Sequence, residues 1–289
     1  MKKLYVLLLV LSVGLSACKK DSTASWLKID SVSLTTNAVT EGENTHAITH
    51  LWVYMDNKSL GLFELPLEIP ILAEGEHEFI FFAGVKKDGF YDQAHPVYQY
   101  PFYNKITDKI TLTKNETVTY NPNFTYKSGV SFVGKEDFED TGIILQNDPN
   151  VDTTQIHILT INDYPNIVKY GSNCGHIKVS NIDTIAQVFT DIAMSLPKGQ
   201  VIMELDYMNS NSFAQGMMTN SAILDLYLQV APQEESTMKW KKMYIDIGTQ
   251  ITNLSSPASS FNYYFTVNID EGKTTGDVYL DNIKILYFE

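Results

Sequence analysis

From Leu27 onward, apolar and polar positions alternate with a period of two over most of the chain. A side chain that changes face at every residue belongs to a strand with one face on a core and the other toward water, so the pattern predicts antiparallel sheets. Helical stripes are scarce. Leu51-Trp52-Val53-Tyr54-Met55 runs into the turn Asp56-Asn57-Lys58 and resumes at Leu60-Gly61-Leu62-Phe63, while Glu78-Phe79-Ile80-Phe81-Phe82 follows Gly75. Short β-branched and aromatic runs parted by turn residues predict a sandwich. Farther along, Leu224, Leu226, Leu228 and Val230 alternate with Asp225, Tyr227 and Gln229. Phe261, Tyr263, Phe265, Val267 and Ile269 alternate with Asn262, Tyr264, Thr266, Asn268 and Asp270. These runs predict strands of a second two-sheet sandwich. The polar stretch Tyr126-Lys127-Ser128-Gly129 separates the two series and places a boundary between Thr125 and Lys135. The expected fold class is all-β, with one β-sandwich over 27–127 and another over 134–289.

Length agrees with two modules, since 289 residues at roughly 150 per domain give each a core of its own. Charge narrows the partners. The chain carries 34 acidic and 21 basic residues, a formal net charge of −13. Nucleic acid requires a basic stripe that displaces counterions. The basic clusters are only Lys19-Lys20, Lys86-Lys87 and Lys239, Lys241 and Lys242, so nucleic acid is rejected as a partner.

The first residues give the compartment. Lys2 and Lys3 precede an apolar run from Leu4 to Gly14 and then Leu15-Ser16-Ala17-Cys18. This is a secretory leader over 1–17, because a membrane span needs about 20 apolar residues. Its end resembles the lipobox of bacterial lipoproteins. The resemblance implies that the Cys18 thiol takes a diacylglycerol, that Cys18 becomes the mature amino terminus, and that 18–26 is a lipidated tether. The start Cys18-Lys19-Lys20-Asp21 resembles the export signals of Bacteroidota-type surface lipoproteins, which implies anchoring in the outer membrane facing outward. With Cys18 acylated, Cys174 has no intrachain partner. Beside His176 it reads as a small buried hydrophobe rather than a nucleophile. His46 and His50, four apart on a strand-rich segment, read as solvated.

Within the first module, Val53 to Gly61, Leu65-Pro66 and Ala73 to Phe79 with its Gly75-Glu76-His77 resemble the PEGA-type immunoglobulin-like domain. The aromatic loop Tyr98-Gln99-Tyr100-Pro101-Phe102-Tyr103 reads as an exposed platform or, with more weight, as a plug packed on a neighbouring domain. In the second module, Asp137-Phe138-Glu139-Asp140-Thr141-Gly142 and Val278-Tyr279-Leu280-Asp281-Asn282-Ile283 resemble galactose-binding-like jelly rolls, the fold of many carbohydrate-binding modules. That family places its first and last strands side by side, often around a structural calcium. The resemblance makes Glu139 and Asp281 the candidate ligands, with surface carboxylates as the equal alternative.

Glu204-Leu205-Asp206-Tyr207-Met208-Asn209 resembles the Glu-x-Asp-x-x-Glu signature of jelly-roll glucanases, but Asn209 stands where the second glutamate belongs. An amide cannot donate the proton that glycoside hydrolysis needs, so the expectation is a non-enzymatic protein. Alternation puts Glu204 and Asp206 on one face, and likewise Asp225, Tyr227 and Gln229, and Trp240, Lys242, Tyr244 and Asp246. If the three strands adjoin, they make a sugar site with Trp240, Tyr244 and Tyr227 as aromatic floor. Glu204, Asp206, Asp225 and Gln229 would then bond hydroxyls. An ordinary solvent-facing sheet gives the same alternation. Two functions are therefore carried forward: an envelope lipoprotein that binds oligo- or polysaccharide, and a structural component that contacts envelope proteins.

Overall fold

The computed structural model describes residues 23–89, 96–147, 156–219, 222–253 and 260–289, leaving aside the side chains of 222–227. Ten strands come before the junction: β1 (Ser25–Ile29), β2 (Ser33–Thr35), β3 (His50–Met55), β4 (Lys58–Glu64), β5 (Leu67–Ile71), β6 (Gly75–Val85), β7 (Tyr98–Gln99), β8 (Ile106–Leu112), β9 (Thr117–Thr119) and β10 (Asn123–Thr125). Eleven follow it: β11 (Val130–Glu136), β12 (Leu145–Asn147), β13 (His157–Thr160), β14 (Asn173–Ser180), β15 (Ile185–Thr190), β16 (Val201–Asn209), β17 (Phe213–Thr219), β18 (Ala222–Val230), β19 (Lys241–Asp246), β20 (Phe261–Asn268) and β21 (Thr275–Phe288). Two short α-helices, α1 (Ala38–Glu41) and α2 (Gly248–Thr252), and a 3-10 turn (Glu235–Thr237) complete the described elements. The protein is an all-β structure of two sandwiches.

In the first, a sheet of order β4-β3-β6-β7, with β8 on the other part of β6, packs against β5-β1-β9 and the pair β10-β2. The β3–β4 hairpin closes where Asp56 and Asn57 both adopt positive φ, 48° and 62°. That is the pairing a two-residue type I′ turn requires, and Asn and Asp tolerate it best after glycine. Leu27, Ile29 and Ile69 from the small sheet meet Leu51, Val53, Phe79 and Phe81 from the large one.

The second sandwich stacks a sheet of order β13-β14-β21-β16-β19 on one of order β12-β15-β20-β17-β18. The long β21 organises the first of these. One of its edges pairs with β16, and the other pairs with β14 along its first half and β11 along its second. Ile177, Met203, Leu205 and Ile285 from this sheet interlock with Val188, Phe213, Phe265 and Val267 from the other. The alternation of β20 read from sequence holds: Phe261, Tyr263, Phe265 and Val267 point into this core.

The two cores are not separate. The cluster that fills the first sandwich also contains Ile202, Tyr244 and Leu286, which project from the outer face of the β16, β19 and β21 sheet. Main-chain bonds reinforce the junction, since Asp88 N donates to Tyr244 O at 2.8 Å and Asp246 N donates to Asp88 Oδ1 at 2.8 Å. The aromatic loop takes its burying role here. Tyr100, Phe102 and Tyr103 are all buried, and the Tyr100 ring lies 4.8 Å from that of Tyr244. His50, expected in solvent, is buried on β3, where its Nδ1 pairs with Thr49 Oγ1 at 2.9 Å. Among the described residues no helix is long and apolar enough to cross a membrane.

Candidate functional site

Glu204, in the middle of β16, faces the first sandwich and is wholly buried. A buried carboxylate survives only if its charge is matched and its lone pairs are filled. Both conditions are met here. Lys242 Nζ lies 3.2 Å and Lys284 Nζ 3.8 Å from Glu204 Oε2. Tyr100 donates its hydroxyl to Oε1, and Tyr126 reaches both oxygens at 3.1 and 2.9 Å. Burial opposes the charge of Glu204, but the two lysines and two hydroxyls hold its carboxyl below the usual range. Lys242 is likewise held charged: burial opposes it, and Asp206 and Glu204 more than offset that. Burial, aided by the charge of Lys242, pushes Lys284 down to about 8 despite Glu204.

Asp206, one step along the same face, accepts from Thr45 Oγ1 at 2.6 Å and Asn282 Nδ2 at 3.0 Å. Tyr244 accepts from Ala47 N at 2.9 Å. Pairing of β16 with β19 sets Glu204 and Asp206 beside Tyr244 and Lys242 on one face, and that face is largely covered. It is the seat of the first sandwich. Asp206 and Tyr244 are each about 1% exposed, which rules out an open aromatic floor bonded by these carboxylates. Burial of Glu204 also removes it from any glycosidic bond, so the glucanase-like motif carries no catalysis.

The remaining candidates separate. β18, with Asp225, Tyr227 and Gln229, belongs to the opposite sheet, so the three strands do not adjoin. The side chains of Asp225 and Tyr227 lie outside those described, as does Cys18. Trp240 is half-buried just before β19. Its Nε1 donates to Ile167 O at 2.7 Å, and the ring packs over Cys174, Val168 and Met208. Cys174 is buried and its thiol is pushed up to about 12, mainly by burial, the inert setting expected of it.

β11 and β21 do lie side by side; of the two candidate calcium ligands, Glu139 falls just beyond β11 and Asp281 lies on β21. Glu139 spends Oε1 on the amides of Ser172 and Asn173, at 2.7 and 2.8 Å. The Asp281 carboxyl is pushed up to about 9 by burial and the charges of Asp206, Glu139 and Asp137, so at neutral pH it is a neutral acid. Its Oδ2 finds no partner. Calcium takes six to eight oxygens and favours ionised carboxylates. Among the described residues no group of three or more His, Cys, Asp or Glu side chains is gathered to hold a metal.

The open concave surface is on the other sheet. Strand register lines up Gln187, Thr266, Ala214 and Gln229 in one row across β15, β20, β17 and β18. The next row aligns Tyr264 with Gly216. A Cβ on Gly216 would stand 2.4 Å from the Tyr264 ring, so the glycine allows that ring to lie flat on the sheet. Together with Ser212, Asn268, Asp270 and Glu271 these residues line a groove of about 510 Å³. Asp270 fixes the rim by accepting from Ser212 N at 2.9 Å and from the Ser212 hydroxyl. Gln229 is the one sequence candidate in it. Thr266 and Asn268 were visible as the polar side of β20, whereas Gln187 was missed because β15 is short and its alternation brief.

Neither a protein-family model nor a curated protein sequence matches the chain. Among solved structures it is similar to carbohydrate-binding modules. One is a promiscuous module of the β-sandwich superfamily, at 13% identity and TM-score 0.38 over 91% of this chain and 98% of that one. A module specific for non-crystalline cellulose shares 13% identity at TM-score 0.36, covering 51% of this chain and 90% of its own. A family 11 module from Clostridium thermocellum, bound to a mixed-linked tetrasaccharide, shares 12% identity at TM-score 0.34 over 55% of this chain and 96% of its own.

Two outcomes follow from the buried charges. Glu204→Gln takes from Lys284 its ion-pair partner and leaves Lys242 with Asp206 alone, and should lower unfolding free energy by about 3–5 kcal/mol, measured by urea denaturation. Asp281 keeps in the folded state a proton that the unfolded chain releases near its ordinary pKa. The unfolded state therefore binds fewer protons, and this contribution to stability falls as pH rises from about 4 to about 9. Asp281→Asn should flatten that part of the melting-temperature profile while keeping the fold.

Proposed function

We propose that this protein is a lipid-anchored envelope protein whose second sandwich binds a neutral oligosaccharide in the groove of the β15, β20, β17 and β18 sheet. The carrying observation is the lining of that groove. Side-chain amides from Gln187, Gln229 and Asn268 both donate and accept, hydroxyls from Ser212 and Thr266 do the same, and Asp270 and Glu271 accept. Sugar hydroxyls need that mixture. The two carboxylates, with no lysine among the described lining residues, disfavour an anion. A volume of about 510 Å³ lies within the range of small-ligand sites. The groove is open to solvent on a polar sheet face, so affinity should be modest.

Support for the anchor comes from the leader: the motif Leu15-Ser16-Ala17-Cys18 follows a charged start and an apolar run. Several acyl chains give firm attachment at about 0.8 kcal/mol per buried methylene. Cys18→Ala should move the protein from the membrane to the soluble fraction and abolish labelling by an alkyne fatty acid.

Gln187→Ala combined with Gln229→Ala should weaken binding of neutral glycans on an array by about tenfold, the loss of two hydrogen bonds near 0.7 kcal/mol each. The melting temperature should hold, since Gln229 is exposed and Gln187 only half-buried. Unchanged glycan binding in this variant would remove the groove from consideration.

A further inference from the structure

A second cavity, of about 440 Å³, opens where the two sandwiches meet, and its lining differs chemically from that of the groove. Four lysines reach it: Lys86 from the first sandwich and Lys169, Lys241 and Lys242 from the second. In a chain of net charge −13 whose basic residues are all lysine, such a gathering works against stability, because like charges repel. The fold accounts for only part of it. Lys242 is held by Glu204, and the one acid among the described lining residues, Asp206, is taken up by Thr45, Asn282 and Lys242. Lys169 and Lys241 are exposed and form no ion pair among the described residues, so their charge is left facing the cleft.

The same wall carries aromatic rings. Trp240, pinned by its bond to Ile167 O, meets Tyr170 edge-on with ring centroids 6.0 Å apart. Lys169 Nζ sits 5.1 Å from the centre of the Tyr170 ring. A small inorganic anion would use the lysines and leave the rings idle. A pyranose uses both: its C–H face packs on an aromatic ring, and a ring carboxylate meets an ammonium.

We propose that the cleft between the sandwiches binds a carboxylated oligosaccharide, with Lys169 and Lys241 taking the carboxylates and Trp240 and Tyr170 receiving the sugar face. Both sandwiches supply walls, so the docking that the Glu204 network reinforces shapes the cleft. It does not rest on the groove, which is acidic and lies on the opposite sheet.

The test is calorimetric titration of the whole protein with trigalacturonate at low salt. Binding is expected, weakened by added salt. Lys169→Gln with Lys241→Gln should weaken it by about tenfold, the effect of losing two exposed charge contacts, and Lys169→Arg with Lys241→Arg should restore it. Both residues are exposed, and an unchanged melting temperature confirms that the variants fold. No binding by the wild-type protein, equal binding by the glutamine variant, or full displacement by equimolar inorganic phosphate would each overturn the proposal. Binding that survives in the lysine variant but is lost in Gln187→Ala with Gln229→Ala would assign the acidic sugar to the groove, overturning the cleft and leaving the groove reading intact.

Discussion

The carboxylate of Glu204 is the constraint from which the rest of the architecture follows. Carrying an ionised group into a protein interior costs several kcal/mol even after relaxation, and this is recovered only when counter-charges and hydrogen-bond donors converge on it. For Glu204 the partners come from three places: Lys242 on β19, Lys284 on β21, and the hydroxyls of Tyr100 and Tyr126 from the first sandwich. No single sandwich supplies the full set. The docking geometry of the two is thereby specified, because sliding one over the other would strip the buried Glu204 carboxylate of its two tyrosine hydroxyl donors.

Apolar contact adds strength where the ion network adds register. Tyr100, Phe102, Tyr103 and Tyr126 form an aromatic floor onto which Tyr244, Ile202 and Leu286 settle. Tyrosine suits this seam, since the ring contributes apolar area while the hydroxyl finds an acceptor. The docking then decides which surfaces remain for ligands. With the outer face of the β16, β19 and β21 sheet covered, the β15, β20, β17 and β18 sheet keeps the open concavity, and the seam itself leaves a lysine-lined cleft at its edge.

Much of the fold was legible in the chain. Strand alternation in β20 separated its core side from its polar side, the Asp56-Asn57 turn marked a hairpin, and the aromatic loop around Tyr100 read as a buried plug. The candidate site was legible only in fragments. Glu204, Asp206 and Tyr244 do share a face, yet Gln229 lies on the other sheet, and of the groove only Gln229 was singled out in advance.

The sequence by itself determined the all-β class, the two strand series and their inward faces, because the period of alternation is a local property of the chain and its turn residues. Only the tertiary structure decided what each outward face meets. A polar-aromatic strand face reads the same whether it borders water or another domain, and the pairing order of strands depends on contacts between residues distant in sequence. Glu204 shows the limit: its alternation placed it on the polar side, and only the arrival of Tyr100 and Tyr126 from about a hundred and about eighty residues away turned that polar side into an interior.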